Sequence, residues 1–431
     1  MKTLPRDMVK ELDKYIVGQG DAKRAISIAT RNRYRRNQIK DQEIADNITP
    51  TNILLIGSTG VGKTEIMRRI ASICDYPFLK VDATKFTEVG YVGRDVESII
   101  RDIVELTIKK KRDGIKKKFF NQAIKIAEFR VAEALLGSVD NIEMVNECIK
   151  NIRNGSIDET QVKIEVKDNG HDHPQHIDLG GNISMIQLND VLGKFGNENR
   201  KKILQVSVKE AIARIVEEES TNMIDEDSVI IDAVKDVTNN GIIFIDEIDK
   251  LISNGNSSSR GEVSREGVQR DLLALLSGTT VSTKHGNIDT KYILFIASGA
   301  FYNAKPSDLF PELQGRLPIQ VKLNNLKTSD FYEILKLKTG IISNVTSLLK
   351  VDNIDISFDD DALVYISEVC HSMNTELDNI GARRLSAIVE KIVEDVSFNS
   401  KKCKLTIDRE YAKKALKNFY THKFEKTKFI I

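Results

Sequence analysis

Two hydrophobic patterns alternate along this chain. Short unbroken apolar runs are separated by long stretches in which apolar residues return every three or four positions. Asn52 to Ile56 is a brief apolar run that feeds a Gly-rich turn, and Glu65 to Ile73 then has helical periodicity, which predicts a strand, a loop and a helix in succession. Similar runs at Ile242 to Ile245 and Tyr292 to Ala297 predict further strands. Strands apolar on both faces are buried on both faces, so the expected fold is α/β, a parallel sheet with flanking helices. Residues 6 to 40 read as helix, ended near Asn47-Ile48-Thr49-Pro50 because the residue before a proline disfavours helical geometry.

Between the first two apolar runs lies far more chain than one crossover needs. A long helix is predicted from Arg101 to Leu136, a polar loop-like stretch over 154 to 200, and a charged helix from Lys201 to Glu219. After Leu326 helical periodicity returns at 329 to 350, 360 to 373 and 381 to 398, before a strand signal at Cys403 to Ile407 and a final helix. The expected domains are therefore a split α/β domain at 1–107 and 231–325, a mainly helical insertion at 108–230, and a small, mainly helical carboxy-terminal α+β domain at 326–431. A chain of 431 residues agrees, because single cores stop growing near about 250–300 residues.

Charge changes this picture only locally. Lys plus Arg total 64 against 63 Asp plus Glu, which argues against a surface built to coat nucleic acid or membrane. Seven basic residues nevertheless crowd 109 to 118 beside one acidic residue, a run expected to be a solvated helix face. The longest apolar run, Tyr292 to Ala297, is six residues, far short of the roughly 18 that span a bilayer. The amino terminus lacks the apolar stretch of a secretory signal, and Cys74, Cys148, Cys370 and Cys403 are too scattered for a disulfide framework. A cytoplasmic protein is the expectation.

The chemistry concentrates in two places. Gly57-Ser58-Thr59-Gly60-Val61-Gly62-Lys63-Thr64 fits the phosphate-loop pattern and lies between a predicted strand and helix, the context that pattern requires. Its glycines let backbone N–H groups wrap phosphates at a helix amino terminus. Lys63 would reach the β and γ phosphates of ATP, and the Thr64 hydroxyl would ligate Mg²⁺. Ile242 to Glu247 places two carboxylates at the end of an apolar strand, where parallel sheets present ligand-binding residues. Asp246 would then complete the Mg²⁺ shell, and Glu247 would orient or deprotonate the attacking water.

Other segments are less specific on their own. Gly90-Tyr91-Val92-Gly93 sets an aromatic and a β-branched residue between glycines, suiting either a buried turn or a loop tip that presses on a passing polypeptide. Pro311 to Arg316 and Gly381-Ala382-Arg383-Arg384 carry arginines in short Gly-containing segments. Their planar donor forks suit phosphate, although most such residues are surface charges. His171, His173 and His176 cluster without carboxylate or Cys ligands at fixed spacing, so no metal is assigned to them. No Gly-x-Ser-x-Gly or His-Glu-x-x-His sequence is present.

Taken together, Lys85 to Gly93, Asp246-Glu247-Ile248-Asp249-Lys250, Val263 to Asp271 and Ile296 to Arg316 resemble the HslU (ClpY) family of AAA+ unfoldases, across nearly all residues outside 110–230. The resemblance implies a homo-hexameric ring that uses ATP and Mg²⁺ to unfold tagged or unfolded substrate proteins and pass them to a separate HslV-type peptidase. It further implies that Gly60, Val61, Gly62, Lys63, Thr64, Glu65 and Asp246 contact ATP and its metal, with Val17 lining the adenine pocket. Glu312 and Arg316 resemble inter-subunit elements, Arg316 as an arginine finger, and Arg383 resembles the second sensor of nucleotide state. Gly90, Tyr91, Val92 and Gly93 resemble the pore loop that grips substrate. Phe429, Ile430 and Ile431 resemble the tail that docks into the peptidase, although the family more often ends in Leu. Ser58 stands where relatives commonly carry Pro, at a variable position of the phosphate loop.

Three other readings make different demands on the chain. A ClpX-like unfoldase shares the Gly-Tyr-Val-Gly loop but begins with a four-cysteine zinc module, which this sequence lacks. A nucleic-acid-remodelling motor would be stimulated by single-stranded DNA. A scaffold that binds ATP only to assemble has no need of Lys63, Asp246, Glu247 and Arg316 together.

Overall fold

A computed structural model describes residues 4–87, 93–137, 141–167, 201–252, 265–399 and 402–424. In chain order its strands are β1 (Ile53–Ile56), β2 (Phe78–Asp82), β3 (Gln161–Lys167), β4 (Lys201–Ser207) and β5 (Ile242–Asp246). There follow β6 (Thr280–Thr283), β7 (Gly286–Asp289), β8 (Leu294–Gly299), β9 (Ile319–Lys322), β10 (Asp355–Phe358) and β11 (Lys404–Ile407). The main sheet is parallel throughout and ordered β2-β5-β8-β1-β9. Its central strands carry almost no polar side chains, as a sheet covered on both faces requires, and Ile53, Leu55, Phe244 and Ile296 are buried in one core with Ile66 and Ile70 of the helix that follows β1.

Contacts divide the chain into two compact units, Ile108–Asp232 and the remainder. Within Ile108–Asp232, the antiparallel pair β3·β4 packs Val162, Ile164 and Val166 on Ala123, Ala127 and Val131 of a 39-residue helix, Ser98–Leu136, and on Val208–Asn222. In the remainder, a second core gathers Leu326 to Leu416, where Phe331, Ile366, Ile388 and Ile392 close over the parallel pair β10·β11.

Three expectations fail in instructive ways. Residues 6–40 are not one helix: α1 (Pro5–Asp13) and α2 (Gly20–Arg36) are separated by a turn in which Gln19 takes a left-handed conformation, φ 57°. Residues 201–207 form strand β4, and helix begins only at Val208. Within 154–200, residues 161–167 are strand rather than loop, with apolar residues at every second position facing the core. Strands β2 and β9 escaped the sequence reading because they lie at the sheet edges, where Lys80, Asp82, Gln320 and Lys322 interrupt the apolar run.

Candidate functional site

The site assembles where β1, β5 and β8 end side by side. Glycine permits the loop after β1: Gly60 and Gly62 adopt φ of 77° and 102°, a region costly for residues with a Cβ. The Lys63–Cys74 helix then starts directly at the loop, with Glu65 in its first turn paired to Arg69 at 2.6 Å and Arg68 at 2.9 Å. Lys63 is buried, and its Nζ donates to the carbonyls of Gly57 and Ser58, the latter at 3.2 Å. Burial lowers the Lys63 pKa, against the nearby carboxylates Asp246 and Asp249, which favour the charged form.

The strand β5 supplies the acidic half. Asp246 Oδ1 accepts from Ser298 Oγ at 2.5 Å, while Oδ2 accepts from Thr64 Oγ1 at 3.4 Å and pairs with Lys80 Nζ at 3.0 Å. Burial alone would raise its pKa, but the Ser298 hydrogen bond and Lys80 outweigh it, so Asp246 is held below the ordinary carboxylate range and stays ionised. Next to it Glu247 is exposed in a left-handed conformation, φ 59°, with its N–H donating to Asp246 Oδ1 at 3.1 Å. Such strain in a residue with a side chain costs of the order of 1–3 kcal/mol and is characteristic of sites where orientation matters. Asp249, one turn on, accepts from the Phe301 N–H at 3.1 Å, and an added Cβ on Gly299 would stand 2.8 Å from its Oδ1. Gly299 therefore permits β8 and the segment after β5 to close on each other.

A cavity of about 610 Å³ lies over these groups, walled by Lys63, Thr64, Glu65, Asp246, Glu247 and, from the far segment of the chain, Arg383. The arrangement fits a magnesium nucleotide. A hydroxyl and an ionised carboxylate lie together, as a hard cation that prefers oxygen requires, and the ammonium, arginine and glycine-turned backbone suit phosphates. When bound, the metal would supply charge neutralisation on the phosphates. Thr64 and Asp246 are the residues that would hold it.

The Arg383 segment is joined to the phosphate loop by backbone. Ala382 N–H donates to the Gly60 carbonyl at 3.0 Å. The two adjacent arginines divide their work: Arg383 lines the cavity, whereas Arg384 is buried and holds the loop by donating to Asn374 Oδ1 at 2.9 Å and the Asp378 carbonyl at 2.6 Å. A Cβ on Gly60 would come within 2.0 Å of the Ile380 carbonyl. Gly60→Ala is therefore expected to force the two loops apart, lowering stability by about 1–3 kcal/mol together with nucleotide affinity. Thermal melts with and without ATP check this, and an unchanged melting temperature would refute it.

Several predicted residues lie elsewhere. Val61 is buried in the core behind the loop. Val17 is half-buried and does not line the cavity, although its neighbour Ile16 stands 3.7 Å from where a Gly62 Cβ would be. Glu312 and Arg316 are exposed on the short helix Pro311–Arg316 and do not line it either. The backbone at Arg316 is nonetheless anchored, its carbonyl accepting from Asn52 Nδ2 at 3.1 Å. Gly93 is described at the edge of the predicted loop, whose base is tied by Thr87 N–H to the Arg94 carbonyl at 3.0 Å. Gly90, Tyr91 and Val92, the histidines 171, 173 and 176, and Phe429, Ile430 and Ile431 lie outside the described residues. The sequence reading missed Lys80 and the Ile380–Ala382 contact. Ala297-Ser298-Gly299-Ala300 reads in sequence as a small polar step at a strand end, beside the expected γ phosphate and by itself an ordinary turn; the hydrogen bond from Ser298 to Asp246 is what the structure adds.

Residues 53–128 match the family model of the ATPase family associated with various cellular activities (AAA), and residues 180–320 match that of the AAA domain (Cdc48 subfamily). The ATP-dependent protease ATPase subunit HslU of Parvibaculum lavamentivorans is 47% identical over 421 residues, 96% of either chain. This chain belongs to the HslU family. The same subunit of Agrobacterium fabrum is 46% identical over 418 residues, 95% of either chain, and that of Rhodospirillum centenum 44% over 435 residues, 99% of either. The fold is accordingly the AAA+ form of the phosphate-loop fold, and the chain is an ATPase, the ATP-binding subunit type of an ATP-dependent protease. Among the described residues, no helix is long and apolar enough to cross a membrane.

Proposed function

We propose that this HslU-family chain is an ATP-driven protein unfoldase that works in the cytoplasm, including under stress, as a homo-hexameric ring, and feeds an HslV-type peptidase. The observation that carries this reading is the joined site: phosphate loop, Asp246, Glu247 and Arg383 converge on one cavity although they lie as many as 326 residues apart in sequence. Lys63 binds the phosphates of ATP, Thr64 and Asp246 hold Mg²⁺, and Glu247 takes the proton of the attacking water. Backbone joins Ala382 directly to Gly60, so a change at the phosphates moves the Arg383 segment, and with it residues 326–431. Arg316 and Glu312, exposed and away from their own cavity, serve the site of the next subunit in the ring.

Mechanical work is assigned to Gly90, Tyr91, Val92 and Gly93, which grip unfolded or tagged substrate, and peptidase activation to Phe429, Ile430 and Ile431. Mixing the chain with an HslV-type peptidase, ATP and Mg²⁺ is expected to degrade a folded substrate. Removing the last three residues should abolish degradation while sparing ATP hydrolysis. Tyr91→Ala should also spare basal hydrolysis yet stop processing of the folded substrate; normal degradation by that variant would sink the pore-loop assignment. Stimulation of the ATPase by single-stranded DNA instead of unfolded protein would favour a nucleic-acid motor.

A further inference from the structure

The nucleotide uses one end of the parallel sheet, and the other end holds a second cavity. It measures about 530 Å³, within the range of small-molecule sites. Its walls are one side of α2, Thr51 ahead of β1, Asn239 ahead of β5, Tyr292 ahead of β8 and Ile319 at the start of β9. All four strands begin here, so the cavity is separated from the phosphate loop by the length of β1.

Its lining pairs apolar surface with an excess of positive charge. Ile28 and Ile48 are exposed within it, and four arginines, Arg24, Arg33, Arg35 and Arg36, face a single lining aspartate, Asp21. Arg36 is fixed and compensated, its guanidinium 3.4 Å above the Tyr292 ring, its Nε donating to the Ala45 carbonyl at 2.9 Å and its Nη2 4.0 Å from Asp46 Oδ1. Arg33 is the anomaly. It is 3% exposed, and Nη2 donates to the carbonyls of Asn239 and Tyr292 at 2.8 and 3.2 Å. Nε and Nη1 have no hydrogen-bond partner; the guanidinium lies 5.7 Å from the Tyr76 ring, and Asp236 acts on it only through space, with no ion pair among the described residues. Burial lowers its pKa to about 10, so it remains charged at neutral pH.

A buried guanidinium with two nitrogens left unsatisfied is costly, and an anion that accepts from them recovers that cost. We propose that this cavity binds a small organic anion with an apolar body, the anionic group drawn to the Arg33 end and the skeleton covering Ile28 and Ile48. The site is distinct from that for ATP, and the proposal does not depend on how hydrolysis is used.

The test is equilibrium titration of the full chain, saturated with ADP and Mg²⁺, with the fluorescent anion 8-anilinonaphthalene-1-sulfonate and its neutral analogue N-phenyl-1-naphthylamine. One sulfonate per chain is expected, with the neutral analogue at least about tenfold weaker, the scale of one charge-assisted hydrogen bond. Arg33→Met and Arg24→Glu should each weaken the sulfonate about tenfold or more. Arg24 is exposed at the rim, so Arg24→Glu decides the question if Arg33→Met fails to fold. Equal binding of sulfonate and neutral analogue, no binding, or undiminished affinity in Arg24→Glu overturns the proposal.

Discussion

Arg316→Ala is expected to lower ATP turnover by about 10³–10⁵-fold, the range of an arginine finger acting on a transferring phosphoryl group, while leaving ATP affinity nearly unchanged. The asymmetry follows from placement. Arg316 is exposed and does not line the cavity of its own chain, so its loss removes nothing that chain uses to bind nucleotide. Its backbone is tied through Asn52, whose Oδ1 accepts from the Phe295 N–H at 3.0 Å while Nδ2 donates to the Arg316 carbonyl. The short helix that carries Arg316 is thereby tied, through Asn52, to β8, the strand that carries Ser298. Steady-state hydrolysis and nucleotide titration measure the two effects. Mixing Arg316→Ala with Glu247→Gln subunits adds a sharper one: sites that keep Glu247 can borrow Arg316 from the neighbour, so hydrolysis should partly return. No recovery in mixed rings, with both variants assembling normally, would place Arg316 in its own site or outside catalysis.

Glu247→Gln should slow hydrolysis by about 10²–10⁴-fold, the usual contribution of a general base, and preserve ATP binding and ring assembly. Glutamine is nearly the same size and can occupy the same strained turn, so the variant removes proton acceptance without disturbing Asp246, whose Oδ1 still receives the backbone N–H of residue 247. ATP should then accumulate on the protein uncleaved, as a single-turnover quench would record. Undiminished hydrolysis would reassign the base. Among the described residues, Asp249 is the only other carboxylate lining the cavity besides Glu65 and Asp246, and it is already engaged by the Phe301 N–H.

How much of this was legible in the sequence depended on whether the chemistry is contiguous. The phosphate loop is eight consecutive residues, because wrapping one phosphate chain with backbone N–H groups takes one turn of chain, and such a motif survives translation into text. Asp246 and Glu247 were readable for a related reason: the apolar run that buries β5 also marks where it stops. Lys80 was not readable, since a lysine in an edge strand looks like any solvated residue until β2 pairs with β5 and sets Lys80 beside Phe244 in register, with its ammonium reaching Asp246. The strand β4 was misread because Lys201 to Ser207 runs without a break into a charged helix. Only pairing with β3 reveals its alternation.

The sequence by itself determined the nucleotide chemistry, the parallel sheet and the family, each written in local patterns whose physics acts over a few residues. Tertiary structure alone decided what closes on the phosphate loop, which of two adjacent arginines faces the cavity, and the existence of the arginine-lined cavity at the opposite end of the sheet. Those depend on contacts between residues hundreds of positions apart. Spacing along a chain carries no record of which backbone carbonyl, such as that of Gly60, will meet which N–H.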